Sequence, residues 1–114
     1  MGAPHAAECR TIGTPVADAM AGLLEFYTVF HLAAEEVADG PVHDPCAVLA
    51  VTHPELFTFE GRPVHVELTG THTRGMTLVD ERRPRTSEAG NCRVAYGVDA
   101  DEVIALIMQA VREA

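Results

Sequence analysis

An adjacent histidine and aspartate stand between two prolines in GPVHDPCAVLAV, residues 40–51, at the mouth of an apolar run. A histidine can pass a proton near neutral pH, and an aspartate beside it can hold a hard cation. His43 and Asp44 could therefore join acid catalysis to metal binding. A purely local reading competes with this one. Asp44 is a good N-cap residue, Pro45 fits the first helical position, and CAVLAVT then supplies a run able to bury itself. On spacing alone the cap is favoured, and it leaves His43 unexplained.

Other residues capable of chemistry are more dispersed. The six histidines raise a zinc site built from His43, Cys46, His53, His65 or His72. None of these share the four-residue helical spacing of an H-E-x-x-H site, so scattered surface histidines are the default. Tyr27 and His31 are four residues apart on one helix face, and core packing is the simpler account of Tyr27. Three cysteines, Cys9, Cys46 and Cys92, are odd in number and lack a C-x-x-C pair, so neither a disulfide framework nor a thiolate zinc site is indicated. A reducing, cytoplasmic setting is expected.

Composition narrows the classes. With 114 residues, 47% of them hydrophobic, the chain has material for one core and is read as a single partial domain over 1–114, with 1–12 irregular. Eight Lys+Arg against seventeen Asp+Glu give a net charge of −9, and the arginines form no stripe, so nucleic acid is not an expected partner. No apolar run approaches the ~20 residues of a membrane-spanning helix.

The elements that must position these side chains follow from periodicity. Thr14 and Pro15 open a helix over about 15–38, whose buried stripe reads Val16, Met20, Leu23, Leu24, Tyr27, Phe30 and Ala34. A second helix runs from Asp44 to about Thr52, stopped by His53 and Pro54. VHVELT (64–69) alternates as a half-buried strand, MTLVD (76–80) is its partner, and GTHTRG (70–75) is the loop between them. Residues 80–91 read as an exposed loop and 92–98 as a third strand. DADEVIALIMQAVREA (99–114) is a helix with Asp99 and Glu102 at capping-box spacing, burying Val103, Ile104, Ile107, Ala110 and Val111. The order helix, helix, strand, strand, strand, helix is mixed α/β, without the alternation of a complete parallel-sheet domain.

Taken together, LLEFYTVFH (23–31), GPVHDPCAVLAVTHPELF (40–57) and VHVELTGTHTRGMTLVDER (64–82) resemble the C-terminal part of the inosine/uridine-preferring nucleoside hydrolases. HDPCAV in register with T-R-G-M-T-x-x-D is more specific than either piece alone. The resemblance implies an α/β domain that cleaves the N-glycosidic bond of ribonucleosides with a calcium ion. It implies Asp44 as a calcium ligand, His43 as the residue that protonates or hydrogen-bonds the leaving base, and Tyr27 and His31 as lining of the base pocket. The D-x-D-x-x-x-D-D stretch that supplies most of the family's calcium ligands does not occur here. Calcium takes six to eight oxygens and Asp44 gives at most two, so the chain by itself is expected to be inactive. The alternative expectation is a non-catalytic module that uses an inherited outline for self-association as a homo-oligomer or for a partner.

Overall fold

The computed structural model describes residues 1–35, 40–82 and 90–114, with the backbone alone for 30–35. Four α-helices and four strands are present among them, in the order α1 (Ala3–Ile12), α2 (Pro15–Glu35), α3 (His43–Thr52), β1 (Phe57–Arg62), β2 (Val64–Val66), β3 (Thr77–Val79), β4 (Cys92–Val98) and α4 (Ala100–Glu113). The mixed α/β class is as expected. The end of the first long helix, 36–38, and most of the 80–91 loop, 83–89, lie outside the described residues. Two compact units result: a helical one of Met1–Leu56 with Asp99–Ala114, and a stranded one of Phe57–Val98.

In the helical unit, residues 1–12 hold a helix where irregular chain was expected. The backbone N–H of Gly2 donates to His5 Nδ1 at 3.2 Å, which ties down the first turn. Gly13 closes α1 in the left-handed region at φ +78°, where a side chain would be strained. Thr14 then caps α2 as its position suggested, its Oγ accepting from the Ala17 N–H at 3.2 Å.

The buried face of α2 is not the stripe read from the sequence. Ala17, Ala21, Leu24 and Thr28 are buried, whereas Val16, Leu23, Phe26, Tyr27 and Val29 are exposed. The reason lies in the partner helix, which offers Ala6 and Cys9 to the same core. Small side chains on both sides fill this seam, and the larger apolar residues of α2 are left outside it. At the far side the Cys9 thiol meets Met108 Sδ at 4.0 Å, and burial raises the thiol above its ordinary titration range. Arg10 spans α1 and α2 by donating to Glu25 at 2.9 Å and to Asp18 at 3.3 Å, and Arg112 of α4 pairs with Glu8 of α1.

Helix α4 begins as its sequence states, with the Asp99 side chain accepting from the Glu102 N–H at 3.2 Å. Its buried residues are Val103, Met108 and Val111; Ile104 and Ile107 are half-buried, and Ala110 is exposed. The stripe is thus turned slightly toward Met108. The Asp99 N–H donates to the Leu56 carbonyl at 2.9 Å, fixing the start of α4 beside the chain that leaves α3.

The stranded unit consists of two two-stranded antiparallel ladders, β1 with β4 and β2 with β3. Strand β4 falls on the expected residues. Its partner β1 lies in FTFEGR, where an internal glycine and glutamate obscure the strand pattern, and the ladder carries a register shift between Thr58 and Phe59. The expected pairing of VHV with TLV is present, but β2 stops at Val66 rather than Thr69. Glu67 ends it by folding back: its carboxylate accepts from the backbone N–H groups of Thr69 at 2.7 Å and Gly70 at 3.0 Å. These amides turn toward a side chain instead of a neighbouring strand.

Candidate active site

Helix α3 begins at His43, one residue earlier than expected. Its N-cap is Val42, and no side chain caps it, so the expected capping role of Asp44 is not what the structure shows. The Cys46 N–H is taken by the Val42 carbonyl at 3.4 Å, and Pro45 has no N–H to satisfy. The Asp44 carboxylate therefore sits in the first helical turn, where the helix dipole favours negative charge, without being consumed by the backbone.

The segment leading into α3 is held from a distance. Gly40 is buried, its N–H donates to the Met1 carbonyl at 2.9 Å, and its carbonyl accepts from the Met1 amino group at 2.7 Å. This pair anchors the turn Gly40–Pro41–Val42, so His43 and Asp44 leave a fixed backbone. Both side chains are exposed.

Across from them lies α2. Met20, Leu23, Leu24 and Tyr27 form an apolar wall, and with Val42, His43 and Asp44 they line one cavity of about 380 Å³. That volume is within the range of small-molecule sites. Three of the four residues singled out from the sequence, Tyr27, His43 and Asp44, are thus brought to one cavity. The fourth, His31, belongs to α2, and its side chain lies outside the described residues. Tyr27 is 49% exposed, which corrects the core-packing account. Met20 and Leu23 share the cavity wall with it. Their signal was present in the three- and four-residue steps from Met20 to Tyr27, but that periodicity does not distinguish a stripe facing a core from one facing a cavity.

The arrangement sets an aromatic ring and aliphatic side chains opposite an imidazole and a carboxylate. A flat heterocycle can lie against the apolar wall, the imidazole can donate to a ring nitrogen, and the carboxylate can accept from hydroxyl groups. A metal ion is a different matter. Among the described residues no group of three or more His, Cys, Asp or Glu is placed to hold one. The described residues do not fit a calcium ion by themselves, because Asp44 leaves most of a six- to eight-oxygen shell unfilled.

The stranded unit carries the loop motif THTRG, residues 71–75. Gly75 turns it at φ +89°, and His72 and Arg74 are exposed. The Asp80 carboxylate accepts from the Arg82 guanidinium at 2.9 and 2.6 Å and from the Arg82 backbone N–H at 3.0 Å, and the Tyr96 hydroxyl donates to Glu81 at 2.6 Å. The three cysteines are free thiols. Among the described residues no helix is long and apolar enough to cross a membrane.

Comparison with known proteins gives the cavity a context. The sequence profile of the inosine-uridine preferring nucleoside hydrolases matches residues 2–105. An inosine-uridine preferring nucleoside hydrolase of Leishmania major is 43% identical over 104 residues, which are 90% of this chain and 32% of that protein. A pyrimidine-specific ribonucleoside hydrolase, RihA, of Shewanella woodyi is 37% identical over 106 residues, covering 92% of this chain and 34% of that protein. Among solved structures, a purine-preferring ribonucleoside hydrolase from Gardnerella vaginalis superposes with a TM-score of 0.81 at 24% identity, over 99% of this chain and 35% of that one. The fold is shared, and the chain spans about a third of the length of the curated relatives it matches.

Proposed function

The chain belongs to the inosine-uridine preferring nucleoside hydrolase family, and on that premise we propose that it supplies the C-terminal part of a nucleoside N-ribohydrolase. The observation that carries this reading is the meeting of Tyr27, His43 and Asp44 at one cavity of about 380 Å³. In the reaction the bond from ribose C1′ to the base nitrogen breaks, and its electron pair leaves with the base. Water adds its hydroxyl to C1′, and a proton goes to the base. His43 is the group that gives the base its proton or a hydrogen bond, which makes the base a better leaving group. Tyr27, with Met20 and Leu23 beside it, forms the surface for the planar base, and family resemblance alone assigns His31 of α2 to the same role. Asp44 takes hydroxyl groups of the ribose side. Calcium belongs to the complete domain only, with Asp44 as one of its ligands.

The chain alone is expected to leave inosine and uridine intact. A chimera tests the roles: this chain replaces the 104 matched residues of the Leishmania major enzyme, and release of free base from each nucleoside is followed. The folded chimera should be active, and His43→Ala should lower kcat by about 10²- to 10⁴-fold, the usual contribution of a positioned proton donor. Asp44→Asn should lower activity and weaken ribose binding. A folded chimera without hydrolysis, or one indifferent to His43→Ala, would refute the assignment.

A second reading, an interaction module that has lost catalysis, draws on the exposure of Leu23 at 65%, Phe26 at 71% and Val51 at 81%. A chimera that folds and stays silent toward nucleosides, beside a monodisperse oligomer of the isolated chain, would favour it.

A further inference from the structure

The cavity that holds His43 and Asp44 also has Met1 and Gly40 in its wall, and these two are fixed by a histidine outside the site. Met1 is buried in the helical core, and its backbone holds Gly40 from both sides. The Met1 nitrogen donates to the Gly40 carbonyl at 2.7 Å, and the Met1 carbonyl accepts from the Gly40 N–H at 2.9 Å. The next residue, Gly2, is buried and is the N-cap of α1, so its N–H needs a partner inside the protein. That partner is His5 Nδ1, at 3.2 Å. His5 stands at the third helical position, where a glutamate or glutamine ordinarily reaches back to the N-cap amide. A histidine accepts there only while its Nδ1 carries no proton. The ring is half-buried, so solvent can deliver that proton.

We propose that His5 is a positioning residue for the candidate active site: its neutral imidazole holds Gly2, the Met1–Gly2 backbone holds Gly40, and protonation of the ring slackens the turn that delivers His43 and Asp44 to the cavity. The inference rests on the functional reading above for what that turn presents. Protonation leaves the buried Gly2 N–H without its acceptor, which is the costly way to lose a hydrogen bond. The charged groups around α1 have other partners. Glu8 pairs with Arg112 of α4, and Arg10 pairs with Asp18 and Glu25 of α2. Of the remaining charges on α4, Glu113 accepts from Gln109, and Asp101 and Glu102 belong to its first turn. The Met1 nitrogen donates to Gly40 in either protonation state, so the proton dependence of the bridge enters through His5.

NMR of the whole chain tests this. Protection of the Gly40 amide against exchange, relative to the intrinsic rate at each pH, is followed from about pH 8 to about pH 5, the span over which a histidine changes charge. The wild type is compared with His5→Gln and His5→Ala, and the His5 ring signals report its protonation. In the wild type Gly40 protection should fall by about fivefold or more as the ring takes its proton, the size expected from stranding a buried donor. His5→Gln keeps an acceptor that does not titrate, so its Gly40 protection should stay high across the range. In His5→Ala it should be low throughout. The Val103 amide, which donates to the Asp99 carbonyl at 3.0 Å in α4, should keep its protection in all three. Gly40 protection that ignores pH in the wild type overturns the proposal, as does a fall of the same size in His5→Gln or an equal loss at Val103. If His5→Ala does not fold, the wild type against His5→Gln decides alone. The functional reading fails separately. A folded but inactive chimera beside pH-dependent Gly40 protection removes the hydrolase role and keeps His5 as the residue that sets the turn, while an active chimera beside pH-independent protection does the reverse.

Discussion

The helical and stranded units are built on opposite terms. Nine buried apolar side chains of the described residues, from Met1 through Val111, come from the helical unit. Among its described residues Phe57–Val98 buries Pro63 alone, and its other side chains are joined by polar and ring contacts. Asn91 spans the backbone of Val64 with both ends of its amide, donating to the carbonyl at 2.9 Å and accepting from the N–H at 2.7 Å. Arg62 lies over the Tyr96 ring at 5.5 Å, and Arg93 over Phe59 at 4.4 Å. Two-stranded ladders expose both faces, so strands of ordinary alternation such as VHVEL end with Val66 and Leu68 in water. A helical pair joined through alanines closes around its own core, whereas a ladder of two strands needs something else to lie on.

The sharpest break of this contrast is a cavity in the helical core. Met108→Ala, 3% exposed in the intact chain, should cost about 2–5 kcal/mol in urea unfolding. A loss below about 1 kcal/mol would mean that the helical core is not the main source of stability. Next comes Asp99→Ala, which removes the cap of α4 and should cost about 1 kcal/mol in the same titration. Its counterpart in the other unit is Asn91→Ala. That change removes two hydrogen bonds at an exposed site, and should cost no more than about 1 kcal/mol while speeding amide exchange in β2 and β3. Exchange in α1 and α2 should stay unchanged; if it rises equally, the units do not open separately.

The smallest effect is one of pH. Glu67 is held below the ordinary glutamate value of 4.5 by the amides of Thr69 and Gly70, and Glu25 is held below it by the guanidinium of Arg10. A depressed folded value means that each contact stabilises fully above about pH 4.5 and is lost as pH falls through the folded value. Carboxyl NMR titration should find both groups titrating below 4.5, with the turn at 67–70 loosening over that window. A Glu67 that titrates at or above 4.5 would show that the turn is not held by its carboxylate.

Much of the architecture was legible in the residues. Thr14 with Pro15, Asp99 with Glu102, and Cys92–Val98 mark an N-cap, a second N-cap and a strand that the structure repeats. Local rules suffice there, because a cap or a strand period is settled within a few residues. Helix α1 was missed because its apolar residues are few and small, and β1 because Gly61 and Glu60 interrupt its period. The site was legible in part. HDPC pointed to His43 and Asp44, but their local chemistry favoured a cap, and only the start of α3 at His43 released the Asp44 carboxylate from that role.

By itself, then, the sequence determined the mixed α/β class, the family, and the residues at the mouth of α3, since motif and periodicity are properties of neighbours along the chain. The tertiary structure alone decided which face of α2 is core. Leu24 and Tyr27 lie on the same helical stripe three residues apart and border the same cavity, yet Leu24 is buried and Tyr27 is half exposed, because α1 offers small side chains to Ala17 and Ala21 and leaves the Tyr27 side open to α3. Periodicity can say that a stripe is apolar, and only the packing partner says what it faces.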